Sequence, residues 1–505
     1  MAVTAFAAED EPPYAEPDVR EAVAATGAAG ESIPIGESAV TVPKIEITTA
    51  DGKGLSLEKA DGYVPAQITI TDTDGAALSD AVNLKVRGNS TAMAHVTKKS
   101  FNFKFAKKKN VLGMGSGKKW ALLANCFDPT LLRNYLVFDL AHELGLEYTS
   151  EQRFVEVWLD GSYRGCYTLY EPVQEGRDRV DIDIESNDGM KDFLLEYEAS
   201  RTEDGVSYIT AGGMRFALSD PDEPTDEQVA YAQAIMQDIA ETLRTGDEAA
   251  IREKLDIASF AKFYLLNEYA KTGDFGLSSV FFYYKDGMLY AGPPWDYDLA
   301  LGNLNGELNS ASAKAGSVSD GIMQSDKHFY RYLVGKKWFD REVKQVYADH
   351  YDYFENIAKD GGVLDSMRDE NSAVFARNFT VWDPGRWWLN YQRPPLRGYD
   401  ANYQLLKTWC GERNDWLTNY YGLYRYEYVL GDADGSGEIE IVDATLVQRV
   451  LAEVVEDVDG RIALRSALSP DSPEISDATA IQRYMAEMDD LYGLGEKRSR
   501  MAFDQ

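Results

Sequence analysis

From Pro43 the chain runs in short segments that alternate apolar and polar positions. KIEITTADG and VPAQITITDTDG each alternate, and each closes on Asp-Gly or a similar turn, which predicts half-buried strands. LKVRGNS is a further strand that runs into Arg87-Gly88-Asn89-Ser90. In KKSFNFKFAKKK, Phe101, Phe103 and Phe105 share one face, and Ser100, Asn102 and Lys104 share the other. The aromatic face predicts core, and Lys104 is either an edge residue in solvent or a phosphate ligand.

The period then changes. In KKWALLANCFDPTLLRNYLVFDLAHELGLEY, Leu131, Leu132, Tyr135, Leu136, Leu140 and Leu144 form a helical stripe. Asp128 suits the N-cap, Pro129 the first helical position and Gly145 the stop. Arg133 and Asn134 lie beside the stripe, as ligand contacts or as plain surface. RFVEVWLDGSYRGCYTLYEPV predicts a hairpin turning at Asp160-Gly161 and ending near Glu171, and DFLLEYEAS a strand with Glu196 and Glu198 on one face. Residues 225–269 read as helices, 304–320 as a polar loop, and the stretch to about 425 as helical, with its Trp and Tyr in the core.

The stretch from Asn267 to Asn303 organises the rest. It predicts a helix end, a turn with Asp274, strands over Val280 to Tyr284 and Met288 to Ala291 joined at Asp286-Gly287, and a turn with Asp296 and Asp298. A hairpin brings its two ends together, so the three carboxylates converge. They repel unless a cation or a proton sits among them. Hard oxygen ligands in that number suit Mg²⁺ or a similar ion holding phosphates. The plain alternative is that Asp296 and Asp298 cap a turn and Asp274 is a solvated loop acid.

Composition narrows the class. The 505 residues are 44% hydrophobic, enough for two to four domains with real cores. A formal charge of −33 argues against nucleic acid or an anionic membrane as partner and for cation binding. Cys126, Cys166 and Cys410 make no disulfide framework and are expected as buried free thiols. The four His assemble into no Ser-His-Asp or zinc arrangement, and no apolar run approaches a membrane span. A Gly-x-x-x-x-Gly-Lys-Ser phosphate loop is absent. At the start, Ala5-Phe6-Ala7 before Ala8-Glu9 has the form of a signal-peptidase site, so residues 1–8 read as the remnant of a secretion signal and 9–42 as a flexible linker.

The tail carries a repeat. DATLVQRVLAE (443–453) and DATAIQRYMAE (477–487) match at seven of eleven positions. DADGSGEIEIVD ahead of the first copy has calcium-loop spacing: Asp432, Asp434, Ser436, the carbonyl of Glu438, Glu440, and Asp443 at the twelfth position. In the second copy Ser466, Leu468 and Pro470 stand where ligands belong, leaving Glu474 and Asp477. One good Ca²⁺ site and one weak or lost site are expected.

RGNS, KKSFNFKF, KKWALLANCFDPTLLRN, the hairpin ending in Glu171, GPPWDYDLALGN and LLKTWCGERNDWLTNYY together resemble the spore-coat H (CotH) kinase family over roughly residues 43–422. The resemblance implies an α+β, two-lobed atypical protein-kinase-like domain with mixed sheets and a helical C-terminal part, over 43–425. It implies ATP with Mg²⁺ or Mn²⁺, and phosphoryl transfer to protein Ser or Thr. By it Asp274 is a base or metal ligand, and Asp296 and Asp298 are the metal-binding pair. Arg87, Lys99 and Lys104 are the basic positions near the nucleotide, with Asn89, Ser90, Arg133, Asn134 and Glu171 in the matching motifs around it. The paired loop-helix repeats resemble a type I dockerin, which implies a small all-α calcium-binding domain over 430–490 followed by a tail over 491–505. Its implied partner is a cohesin module of a scaffoldin, with Ile441 and Val442 at the contact, in a secreted, cellulosome-bound protein. The alternative function is a catalytically silent kinase-fold module that binds protein or glycan.

Overall fold

A computed structural model describes residues 19–21, 42–88, 96–184, 191–203, 205–457, 460–466, 473–488 and 492–503. The chain divides into two compact units, one of residues 1–346 and 352–416, the other of 347–351 and 417–505.

In the first unit β1 (Val19–Glu21), inside the span read as linker, pairs antiparallel with β14 (Trp387–Leu389). The alternating segments close into a barrel. Its strands are β2 (Lys44–Thr49), β3 (Val64–Thr71), β4 (Ala77–Arg87), β5 (Ser100–Asn110), β6 (Ser116–Leu123), β7 (Gln152–Leu159) and β8 (Ser162–Tyr170), in the order β2-β3-β4-β5-β6-β8-β7. All neighbours are antiparallel except β2 and β7, whose parallel register sets Lys44 against Glu156. That one pairing removes both open edges, which would otherwise template aggregation. The inward face is the predicted one: Phe101, Phe103 and Phe105 are buried with Ile45, Ile68 and Trp120.

A second, antiparallel sheet runs β10 (Tyr208–Ala211), β11 (Met214–Asp220), β9 (Phe193–Tyr197), β12 (Val280–Lys285), β13 (Met288–Ala291). The helix Asp226–Thr245 packs on β10, capped by Thr225, whose hydroxyl accepts from Gln228 N at 3.3 Å. The helix Ile257–Ala270 is buried on nearly every side, so it is core rather than an amphipathic cover. Its N-cap Asp256 accepts from Ser259 N at 2.7 Å, and it ends at Lys271, which is left-handed.

The helix expected from Pro129 begins later, at Arg133, with Leu132 in the cap position. Leu131 takes φ +64°, which interrupts any helix started at Pro129. Asp128 still caps, one turn early: its carboxylate accepts from Thr130 N (2.9 Å) and Arg133 N (2.8 Å). Gly145 ends the helix as expected, at φ +62°.

The second unit is not all-α. The strand β15 (Tyr424–Val429) pairs antiparallel with β16 (Lys497–Ala502), so the span read as a tail supplies a strand. KRSRMA reads as a solvated run because only Met501 of it is buried. The helices Ile441–Leu451 and Ile475–Met485 pack together over Ala444, Val447, Ala478 and Ile481, with a short helix Arg461–Ser466 between them in sequence. The repeat reaches into the backbone: both helices start and stop at the same repeat positions, and Glu453 and Glu487 are left-handed at φ +56° and +52°. Among the described residues no helix is long and apolar enough to cross a membrane.

Candidate active-site cleft

The β12–β13 hairpin turns at Asp286-Gly287, with Tyr283 opposite Tyr290. Its two ends meet through the backbone: Gly273 N donates to Leu299 O (3.2 Å), and Leu301 N donates to Ala270 O (2.7 Å). Asp274 sits in the 3₁₀ turn Gly273–Gly276, and Asp296 is held at φ +64°. The segment before the helix Arg133–Glu143, with that helix's first turn, fixes the Asp296–Asp298 loop. Asn134 Oδ1 accepts from Tyr297 N at 2.6 Å, and buried Arg133 bridges Asp128 (2.6 Å) and the carbonyl of Ala300 (3.1 Å). Asn303 Nδ2 donates to Asp298 O at 2.7 Å.

These loops face the rim of the barrel across a cavity of about 830 Å³. Lys85 and Arg87 of β4 and Asn102 of β5 line one wall, and Asp274, Asp296 and Asp298 line the other. Arg87 stacks over Trp295 at 4.9 Å and donates to Asn102 Oδ1 at 3.3 Å. Burial lowers its pKa, and the charges of Asp296 and Glu196 oppose that.

The acids do not behave as solvated loop carboxylates. Burial first, and the Asp296 charge second, push Asp274 up to about 7, against the pull of Arg201. Asp298 is raised well above its ordinary range by burial and by Asp296 and Asp274. Asp296 is raised by burial, while Arg87 and Arg201 pull it down. Like charges in a half-enclosed cavity disfavour one another's ionised forms, so a cation entering the cleft relieves all three.

Of the residues singled out from sequence, Arg87 and Asn134 line this cleft together with the three acids. Lys99 and Lys104 do not. Lys99 is buried against Glu58 at 3.0 Å. Lys104 stands opposite Asn83 and Lys119, one step further along β5 from the cleft than Asn102. The lysines that line the cleft are Lys59 and Lys85, both passed over by sequence reasoning, and Lys85 is the one on the strand that carries Arg87. Its pKa is lowered by burial and by the neighbouring Lys59, Lys119 and Arg87 charges, and Nζ lies 4.7 Å from the Tyr63 ring. The i, i+2 spacing of Lys85 and Arg87 in LKVR puts both on one strand face, a signal that was available.

Arg133 is spent inside the fold, in its pair with Asp128, and touches no cleft wall. Glu171 faces a different cavity, of about 520 Å³, with Arg179 at 3.7 Å, and burial pushes its carboxyl up to about 7. Asn89 and Ser90 lie outside the described residues. Glu196, noted only as sharing a face with Glu198, lines the cleft, and burial followed by the Glu198 charge pushes it up to about 7. All three cysteines are free thiols, and Cys126 lines the cleft.

In the second unit Asp432, Asp434 and Asp443 bring one carboxylate oxygen each within 4.8 Å of the others. Among the described residues no other acidic group gathers so closely, the cleft acids included. The loop closes on itself: Gly437 N donates to Asp432 Oδ2 (2.8 Å), Asp434 N to Asp443 Oδ1 (3.0 Å) and Ser436 N to Asp434 Oδ1 (2.9 Å). Ser436 Oγ donates to the Glu438 carbonyl at 3.2 Å. The Glu440 side chain caps the helix Ile441–Leu451 in a reciprocal box with Asp443. Glu474 and Asp477 form the same box in the second copy, so this feature is helix capping common to both halves. Ser466 there is buried and donates to Ile462 O at 2.6 Å, and Leu468 and Pro470 lie outside the described residues. Ile441 and Val442 are 54% and 50% exposed.

A family model described as CotH kinase protein matches residues 84–417, more than half of the chain. No curated protein matches it.

Proposed function

The chain belongs to the CotH kinase protein family, and on that footing we propose that the cleft binds ATP with Mg²⁺ or Mn²⁺ and transfers the terminal phosphoryl group to a protein Ser or Thr hydroxyl. The observation that carries this reading is the opposition, across one 830 Å³ cavity, of Lys85 and Arg87 to Asp274, Asp296 and Asp298. Phosphoryl transfer is mostly positioning and charge neutralisation, and these walls supply both signs. Asp296 and Asp298 hold the metal, which when bound neutralises phosphate charge. The cleft acids lie further apart than a closed cage, which suits a Mg²⁺-type ion that keeps phosphate oxygens among its ligands. Lys85 and Arg87 meet the remaining phosphate charge. Asp274, pushed toward neutrality by burial, accepts the hydroxyl proton at its carboxylate oxygen near pH 7. Asn134 holds the loop at Tyr297 N so that the two metal-binding acids keep their places. Calorimetry of ATP with either metal, on the wild type and on Asp296→Ala and Asp298→Ala, tests the reading. Metal-dependent binding lost in the variants supports it. A folded wild type that binds no nucleotide overturns it in favour of a silent kinase-fold module for protein or glycan.

The second unit, in the same proposal, is a dockerin-like calcium module of a secreted, cellulosome-bound protein. Asp432, Asp434, Ser436, the Glu438 carbonyl and Asp443 hold Ca²⁺. Glu440, placed among the ligands by spacing, serves the helix cap instead. The exposed Ile441 and Val442 contact a cohesin. Cohesin capture that survives complete calcium removal would overturn this part.

A further inference from the structure

Asp274 is carried by the short 3₁₀ turn Gly273–Gly276, so where that turn is held decides where its carboxylate stands beside the Arg201 charge. That turn is gripped on both sides by one segment, residues 318–328, of which Met323, Gln324 and His328 are buried. Gln324 Nε2 donates to the carbonyl of Thr272, the residue that opens the turn, at 3.0 Å. His328 Nε2 meets the carbonyl of Phe275, the residue after Asp274. Lys271 Nζ adds a bond to Val318 O at 3.1 Å.

The gripping segment is itself anchored. Glu268 and Arg413 form an ion pair at 3.0 Å with both side chains fully buried. The two Glu268 oxygens accept from Met323 N and Gln324 N, each at 2.8 Å. Arg413 donates to Ser319 O (2.9 Å), Gly321 O (2.8 Å) and Glu268 O (2.7 Å). Removing one partner of such a pair leaves a buried charge uncompensated, and both partners here also bond the backbone of the segment.

We infer that Gln324 and His328 are positioning residues that hold the Asp274 turn against the cleft, with Glu268–Arg413 as the anchor of the segment that carries them. The inference rests on the phosphoryl-transfer reading for its kinetic consequence and on geometry alone for its structural one. A small misplacement of a reacting carboxylate costs roughly 100-fold in rate while leaving the rest of the ligand's contacts in place.

The test uses the full chain with Gln324→Met, which keeps length and burial and removes the donor, and Arg413→Lys as a second, more disruptive variant. Leu277 N and Ser278 N both donate to Asp274 O, at 2.8 and 3.0 Å, so their hydrogen exchange reports the turn directly. In Gln324→Met these two amides exchange at least about tenfold faster, while barrel amides of β5 keep their wild-type rates. Calorimetric affinity for Mg²⁺–ATP stays within about twofold of wild type, and kcat for phosphoryl transfer falls roughly 10- to 100-fold with KM for ATP unchanged. Unaltered exchange at Leu277 and Ser278 overturns the inference whether or not the protein turns over. An equal fall in ATP affinity and kcat, with faster exchange across the barrel, overturns it as well, since the change would then be a general loosening. A wild type that binds no nucleotide defeats the enzymatic reading alone, and the exchange result still decides the positioning role.

Discussion

The protein gathers acids in two places, and the two are built differently. In the cleft, Asp274, Asp296 and Asp298 face a wide cavity from loops at the ends of a hairpin, with Arg87 and Lys85 across from them. In the tail, Asp432, Asp434 and Asp443 come from one short loop, within 4.8 Å, and its own N–H groups satisfy them. Burial first, and the neighbouring carboxylates second, raise Asp274 and Asp298 in the cleft. In the loop, burial and the Asp434 and Asp432 charges still raise Asp443, but two backbone bonds oppose them, and a bond from Ser436 N holds Asp434 below its ordinary range. On the proposed reading, the cleft leaves its charges for an exchanging ligand to balance, whereas the tail loop's carboxylates are already organised by its own backbone N–H groups.

The sharpest break of that contrast is Asp296→Asn. We expect metal-dependent ATP binding to fall by two orders of magnitude or more, roughly the loss that follows removal of a preorganised charge-stabilising group. Titration calorimetry reads it, and binding that stays within threefold would remove the cleft from the comparison.

Calcium comes next. If the tail loop holds Ca²⁺ as proposed, saturating Ca²⁺ at about 100 times its Kd is expected to stabilise the second unit by about 2.7 kcal/mol. Asp434→Ala abolishes that gain and Asp477→Ala leaves it intact, as followed by thermal unfolding with and without chelator. Equal losses in both variants would mean that the second copy still binds.

Lys85 separates the cleft wall from its surroundings. Lys85→Ala weakens ATP binding by about tenfold or more, the ~1.5–3 kcal/mol of a hydrogen bond to a charged group. Lys104→Ala and Glu171→Gln each change it by less than about twofold, because neither side chain lines the cleft. A reversal of that order would assign the phosphates to β5.

The smallest effect is a dependence on pH. A carboxyl group raised from its ordinary value to about 7 binds more protons in the folded chain than in the unfolded one between about pH 4 and pH 7. Stability contributed by Asp274 therefore falls as pH rises through that window. Asp274→Asn removes the loss, so the variant is more stable than wild type at pH 8, and the advantage vanishes near pH 4. Denaturant midpoints at the two pH values check the sign. Added Mg²⁺ should flatten the wild-type curve.

Much of this was legible before any coordinates. Alternation in SFNFKF placed three Phe in the barrel core, the Asp-Gly turn fixed the β12–β13 hairpin, and hairpin geometry required Asp274 to approach Asp296 and Asp298. The DATxxQRxxAE repeat foretold two equivalent helices, to which the structure adds a capping box shared by both. These are local consequences of period and turn chemistry, which neighbouring residues decide among themselves.

Tertiary structure alone decided the rest. Closure of the barrel rests on β2 meeting β7, a pairing no local pattern encodes. The choice of Lys85 over Lys99 and Lys104 depends on which end of β4 and β5 meets the second sheet, because alternation gives a side chain's face and not its height along the strand. Arg133 reads as a ligand contact until the fold supplies Asp128 and the Ala300 carbonyl to occupy it. The strand Lys497–Ala502 reads as a tail until Tyr424–Val429 offers it an edge. The sequence settled which residue types face inward or outward, since that follows from backbone periodicity. Which of them meet was left to long-range packing, where the partner lies far along the chain.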